Sequence, residues 1–391
     1  MTIPEPLPGA SPAGTLRLEV EEFGRLIDAL GRRGYVTVGP TRRDGAIVYD
    51  HISSASDLPR GWTDEQEAGR YRLKRRDDEA LFGYAVGPHS LKRFLHPPLA
   101  TLWRARRHDG RFELVPEVEP PPRYAFIGVR ACDLAALDRL DDVLIDGPYV
   151  DHGYREARRR AFIVAVECAS PGGTCFCQSM DTGPGVSRGA DLVLTEVVDD
   201  RRQFFVLRAT TPPGREVASE LGCPPASGAE QAQAAAVVEA AEARMGRRLE
   251  TRGLKEALVG GPEHPRWDHV AKRCLTCGSC TLSCPTCFCC TVEDAASLRG
   301  SDAERRRRWD TCFSIEFSYM YGGSVRLSPR ARYRQWLTHK LGTWHDQFGV
   351  SGCVGCGRCI TWCPVGIDIT VEAAAIRETT VQPASGELST E

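Results

Sequence analysis

The chain has 391 residues, 42% hydrophobic and 26% charged, as expected of a globular protein with two or three domains. A net charge of −2 argues against nucleic acid as a partner, and the longest apolar stretch, near Ala161–Val166, is far too short to cross a bilayer. Seventeen cysteines at short spacings, behind a Pro- and Gly-rich start (Met1–Gly14) that lacks a secretory pattern, point to metal rather than disulfides and to the cytoplasm.

In chain order, Val20–Leu30 predicts an amphipathic helix with Val20, Phe23, Ile27 and Leu30 on one face. Tyr35–Val38 and Ala46–Tyr49 predict strands around the polar turn Arg42-Arg43-Asp44-Gly45. Leu58–Leu99 mixes short apolar runs with Gly and Pro, as strands and loops do. The arginine runs Arg104–Arg107 and Arg305–Arg308 read as solvated helix faces. Tyr124–Val129, Leu134–Leu144 and Phe162–Val166 read as strand, helix and strand, a βαβ unit with parallel strands. Asp191–Val197 and Phe204–Leu207 predict a further strand pair around Asp199–Arg202, and Ala229–Glu250 predicts a helix. Gly260-Gly261-Pro262 marks a boundary. Beyond it, Thr291–Val350 looks helical, with candidates at Ile315–Met320 and Tyr333–Leu341, and Thr379–Glu391 is a polar tail.

The chemistry lies in the cysteines. Cys274, Cys277, Cys280 and Cys284, followed by Pro285, have the spacing C-x2-C-x2-C-x3-C. Cys353, Cys356, Cys359 and Cys363, followed by Pro364, repeat it. This is the bacterial two-cluster ferredoxin signature, in which the fourth cysteine of each run ligates the other cluster. The expected sets are Cys274, Cys277, Cys280 and Cys363 for one 4Fe–4S cluster, and Cys353, Cys356, Cys359 and Cys284 for the other. Gly278, Gly352, Gly355 and Gly357 are expected to bring backbone amides close to sulfur. The competing reading is zinc, which takes four thiolates as two separated pairs and does not need these runs.

The fold class is expected to be α+β. Residues 1–255 form an N-terminal α/β domain with the βαβ unit, 256–378 a mainly α-helical two-cluster ferredoxin-like domain, and 379–391 a flexible tail. Cys132 follows the first strand of the βαβ unit and Cys168 the second, so both belong on one edge of the sheet, where α/β sheets place ligands. Cys175 and Cys177 come next, and the four together suggest a third iron–sulfur site, against the plainer reading of buried structural cysteines. Thr286-Cys287-Phe288-Cys289, with Cys290 beside it, echoes Thr174-Cys175-Phe176-Cys177, and Thr311-Cys312-Phe313 echoes it in part. Packing near a cluster is the expectation for Cys287, Cys289, Cys290 and Cys312, and a structural role for Cys223. No P-loop or Ser-His-Asp spacing is seen, and His264, His339 and His345 read as surface or supporting residues, so no catalytic residue is assigned.

Gly128-Val129-Arg130-Ala131-Cys132-Asp133-Leu134 and Pro171–Met180 resemble the β subunits of cytoplasmic nickel–iron hydrogenases of the sulfhydrogenase type. So do Thr182-Gly183-Pro184, Gly69–Leu73, Gly87-Pro88 and Cys353–Cys359. The A subunit of anaerobic sulfite reductase is similar to the same family. The resemblance covers about Leu26 to Ile369. It implies an electron-carrying subunit placed between a flavin- and nicotinamide-binding subunit and a catalytic hydrogenase or sulfite reductase subunit, with neither nucleic acid nor membrane as a partner.

Overall fold

A computed structural model describes residues 14–108, 111–115, 121–199 and 202–381. Leu16–Glu19 (β1) leads into Phe23–Arg32 (α1), which buries Phe23, Leu26, Ile27 and Leu30. Val36–Arg43 (β2) and Ala46–His51 (β3) form the expected hairpin. Trp62–Glu67 (β4) and Arg70–Arg75 (β5) form another. After the short helix Lys92–Leu95 (α2), Leu99–His108 (β6) pairs with Arg111–Val115 (β7).

Tyr124–Val129 (β8) and Phe162–Val166 (β9) pair in parallel, joined through Ala131–Leu144 (α3) and His152–Arg159 (α4). Their apolar runs are almost wholly buried, as strands covered on both faces must be. Leu192–Val198 (β10) pairs with β9 in parallel and with Gln203–Ala209 (β11) in antiparallel. Seven strands thus form one sheet in the order β1-β11-β10-β9-β8-β2-β3. Pro212–Leu221 (α5) and α1 pack together on one face, where the rings of Phe23, Phe82 and Phe205 meet at tilted and edge-on angles. α3 and α4 cover a second core around Phe126, Leu137 and Tyr154. Gly228–Ala243 (α6) begins with a capping box of Ser227 and Glu230 and stops short of the predicted Glu250.

The C-terminal part gathers Leu254–Gly260 (α7), Arg266–Ala271 (α8), Ser279–Leu282 (α9), Pro329–Thr338 (α10), Trp344–Phe348 (α11), Arg358–Thr361 (α12) and Ile369–Val381 (α13) around Trp267, Tyr333, Trp336 and Ile376. Between the motifs the structure corrects the helical expectation. Cys290–Ala296 (β12) and Asp302–Trp309 (β13) form a hairpin, and β13 pairs with β6. Both arginine runs are therefore strands, not helix faces, held by pairs such as Arg305–Asp294 and by Arg305 over Trp103. Ile315–Met320 is turns ending in Tyr319–Met320 (β14), which pairs with Gly323–Ser324 (β15). Strands from both sides of residue 255 thus share one sheet. Of the expected tail, Thr379–Val381 finishes α13 and 382–391 lie outside the described residues, as do 1–13 and part of the Asp199–Arg202 turn.

Candidate metal centre

The two ferredoxin runs fold alike. Each places three cysteines around a loop that turns into a short helix, α9 or α12, and a fourth just past it. Gly278 and Gly357, both at φ +75°, make the turn into the helix. α9 and α12 pack together, so the ends of the two runs meet. A cavity is lined by Cys274, Cys277 and Cys280 and, from the other run, by Cys359 and Cys363; Cys363 is within electrostatic reach of both Cys274 and Cys280. Reciprocally, Cys353, Cys356 and Cys359 each lie within electrostatic reach of Cys284.

Sulfur here is met by donors. Thr276 N–H reaches Cys274 Sγ at 3.4 Å, Gly355 N–H reaches Cys353 Sγ at 3.4 Å, and Ile367 N–H reaches Cys363 Sγ at 3.3 Å. Among the four glycines singled out, Gly355 makes such a bond, whereas the Gly352 amide donates to the Lys340 carbonyl. Burial pushes the Cys280 and Cys359 thiols well up and Cys353 to about 12. Such thiols hold thiolate only when a metal supplies positive charge. The soft, all-sulfur donor set fits iron–sulfur. Among the described residues no three His, Cys, Asp or Glu side chains close on one point as around a single ion. The thiols of the first set line a cavity, as the separate irons of a cubane need.

Two lysines, invisible as site residues from sequence, reach the second set. Lys340 is buried and donates to Cys284 Sγ at 3.5 Å and to Thr286 Oγ1 at 2.7 Å. Burial alone would lower its ammonium, but Cys284, Cys287 and Cys353 hold it above its usual value. Lys92 is buried as well, donating to the carbonyls of Cys284 and Cys287 at 2.9 and 2.8 Å.

The N-terminal cysteines gather as the parallel strands require. Cys132 lies in the first turn of α3, Cys168 just past β9, and Cys175 and Cys177 on the following loop. Burial raises the Cys132, Cys175 and Cys177 thiols, and neighbouring thiols add to it. This loop docks on the second ferredoxin run. Phe176 N–H donates to Gly355 O at 2.7 Å, Thr182 Oγ1 to Val354 O at 2.7 Å, and Cys175 Sγ lies 3.8 Å from Cys356 O. A Cβ on Gly355, at φ +63°, would lie 2.5 Å from Phe176 O, so only glycine permits the approach. Gly69 and Gly87 serve the same contact: Gly69 N–H donates to Ile360 O, and Gly87 O accepts from Arg358 Nε.

Arg358, between Cys356 and Cys359, closes the joint. Its side chain is 0% exposed, and Nη2 lies 2.8 Å from Asp133 Oδ1, next to Cys132. The pair is an electrostatic contact rather than an aligned hydrogen bond, for neither Asp133 oxygen has a hydrogen-bond partner. The three thiol groups therefore adjoin in series. Cys280 and Cys359 link the first to the second, and Cys356 and Cys177 the second to the third. Cys277 is the one exposed thiol among the described residues, flanked by exposed Leu275 and Leu282. Of the histidines, His264 contacts Thr379 and His339 packs on Trp344, while Cys223 packs against the core under α1.

Residues 273–367 match the family model of a 4Fe–4S dicluster domain, which spans both ferredoxin runs. The chain is 30% identical over 374 residues to sulfhydrogenase 2 subunit beta of Pyrococcus furiosus, covering 93% of this chain and 98% of that one. No solved structure matches it. No helix among the described residues is long and apolar enough to cross a membrane. With that match over nearly its whole length and an iron–sulfur domain at its C-terminus, the chain belongs to the sulfhydrogenase β-subunit family.

Proposed function

We propose that the chain is an electron relay between a flavin- and nicotinamide-binding subunit and the catalytic subunit of a cytoplasmic nickel–iron hydrogenase. Cys274, Cys277, Cys280 and Cys363 hold one 4Fe–4S cluster, and Cys353, Cys356, Cys359 and Cys284 a second. Cys132, Cys168, Cys175 and Cys177 hold a third. The observation that carries this reading is the crossing of Cys363 into the cavity of the first run. Bound clusters supply one-electron steps.

The chain's own residues do the rest. N–H groups of Thr276, Gly355 and Ile367 and the Lys340 ammonium face sulfur, favouring the more negative, reduced form. Phe313, Tyr333 and Trp336 wall the first cavity and keep water from it. The exposed edge at Cys277, Leu275 and Leu282 offers a place for a partner to exchange electrons, and Arg358 stands between the second and third groups.

The test is iron and acid-labile sulfide per chain after anaerobic purification, with EPR of the reduced protein. At least eight irons and magnetically coupled clusters are expected from the ferredoxin runs, since each cluster holds about four irons. Cys132→Ser is expected to remove roughly four irons and leave those of the ferredoxin runs. Zinc in place of iron after reconstitution would overturn the relay.

A further inference from the structure

Between Phe313 and Arg332 the chain leaves the helical core and turns back on itself as the β14–β15 hairpin. Ser314–Leu327 carries just Glu316 and Arg326 as charges, and these cancel. Its apolar side chains face solvent: Ile315, Tyr319, Met320, Tyr321, Val325 and Leu327 are all exposed, Tyr321 fully and Tyr319, Met320 and Leu327 at 63–68%. The backbone is held by few bonds, among them Tyr319 N–H to Glu316 O at 3.0 Å and Val325 N–H to Ser318 O at 3.2 Å. A hairpin this short does not order itself in water, and burying an apolar face against another element is what stabilises one.

The hairpin is rooted in the wall of the first cavity. Arg332, itself buried, ties down both ends: Nη1 donates to Phe313 O at 2.7 Å and Nη2 to Leu327 O at 3.1 Å. Phe313 lines the cavity with Cys274, Cys277 and Cys280. Just before it, Thr311 Oγ1 accepts from Thr281 Oγ1 at 2.6 Å, and Thr311 Cγ2 lies 2.9 Å from where a Cβ on Gly278 would stand. The hairpin thus rises beside the turn that carries the exposed Cys277, which exposed Leu275 and Leu282 flank in the chain. Together these apolar side chains leave on the order of 1,000 Å² uncovered, more than the ~300–600 Å² of the largest patch on a typical monomer. One side of a stable interface contributes about 800 Å².

We propose that the β14–β15 hairpin is the element by which a permanently bound redox subunit docks over the first cluster. This rests on the relay reading, which has Cys277 holding that cluster. Area and composition make the interface a permanent one. It is large, uncharged on balance and rich in Tyr and Met, whereas a passing carrier is steered by charge onto a smaller, more polar face. The exposed thiol at its foot decides what the occupant brings. A second copy of this chain would join patch to patch about a two-fold axis and set two first clusters at equal potential against each other. No electron would then be driven onward. The occupant therefore presents an apolar face and carries a flavin or metal centre of its own behind it.

The experiment compares the complex isolated anaerobically from its host with the full chain purified alone. Hydrogen–deuterium exchange is followed over Ser314–Leu327, and a Tyr321→benzoylphenylalanine variant supplies a photocrosslinker. The segment's amides are expected to exchange at least about tenfold more slowly in the complex, and the crosslink to land on a subunit that carries flavin or metal. Equal exchange in the two samples would overturn the proposal. So would a crosslink confined to a second copy of this chain or to a subunit without a redox centre. Met320→Asp and Tyr321→Asp are each expected to lower the chain recovered in the complex by about tenfold or more, while the variant chain alone keeps wild-type iron and its reduced EPR signal. Wild-type recovery of both would overturn it. Metal analysis keeps the two readings apart: a chain without clusters defeats the relay, whereas clusters present with this segment unprotected defeat the docking proposal alone.

Discussion

Asp133→Asn is the most informative single change at the joint between the two cysteine regions. It removes the carboxylate charge from a pair in which Arg358 is 0% and Asp133 1% exposed. The guanidinium then stays buried, hydrogen-bonded to the carbonyls of Gly87 and His89. Breaking a buried pair from one side costs about 3–5 kcal/mol. At about 1.4 kcal/mol per tenfold, opening of the joint should become roughly two to three and a half powers of ten more frequent. That is a large share of the ~5–15 kcal/mol that holds an ordinary domain folded. The assay is the rate at which a chelator bleaches the visible iron–sulfur absorption of the anaerobic protein. Asp133→Leu with Arg358→Met should recover most of the loss, because no lone charge is left buried. A change under about threefold in the single variant, or a double variant as labile as the single, would refute the reasoning.

Gly355→Ala should undock the loop bearing Cys175 and Cys177, since the new Cβ would lie 2.5 Å from Phe176 O. Metal analysis should find iron lost from the N-terminal site while the reduced-ferredoxin EPR signal persists; full iron retention would contradict this. Lys340→Met removes a cation and the donor to Cys284 Sγ, so an EPR-monitored redox titration should find one cluster's potential lowered. An unchanged or raised potential would count against the role given to the lysine. His96, buried and bonded through Nδ1 to Trp309 Nε1 at 3.0 Å, has its pKa pushed down to about 3 by burial, with Arg307 and Lys92 adding to it. The unfolded chain takes up that proton near pH 6.5 and the folded one does not, so stability should fall by about 1.4 kcal/mol per pH unit below 6.5. His96→Gln should flatten this slope in chemical denaturation, and an identical slope would exclude His96 as its source.

The parts of the fold that could be read from sequence are those where one local pattern decides. β8 and β9 are continuous apolar runs, and α3, the first of the two helices between them, follows from its own pattern. From these alone Cys132 and Cys168 fall on one sheet edge. The β12–β13 hairpin could not be read that way. Four successive arginines carry no alternation, and β13 is fixed by pairing with β6, about 200 residues earlier in the chain. Lys92, Lys340 and the Arg358–Asp133 pair were hidden for a related reason. A charged residue is ordinarily exposed, and only the assembled fold surrounds these with thiols and carbonyls. The spacing of the ferredoxin runs, by contrast, is chemistry written locally, and the crossing of Cys363 follows from two such runs packing end to end.

The relay itself is tested most directly by rapid-freeze EPR on the complex isolated from its host, mixed with hydrogen or with reduced nicotinamide nucleotide. The expected result is that the clusters of this chain become reduced at least as fast as the complex turns over, and are reoxidised at the same rate when the opposite substrate is added. Clusters that fill only more slowly than turnover would contradict a place for this chain on the electron path.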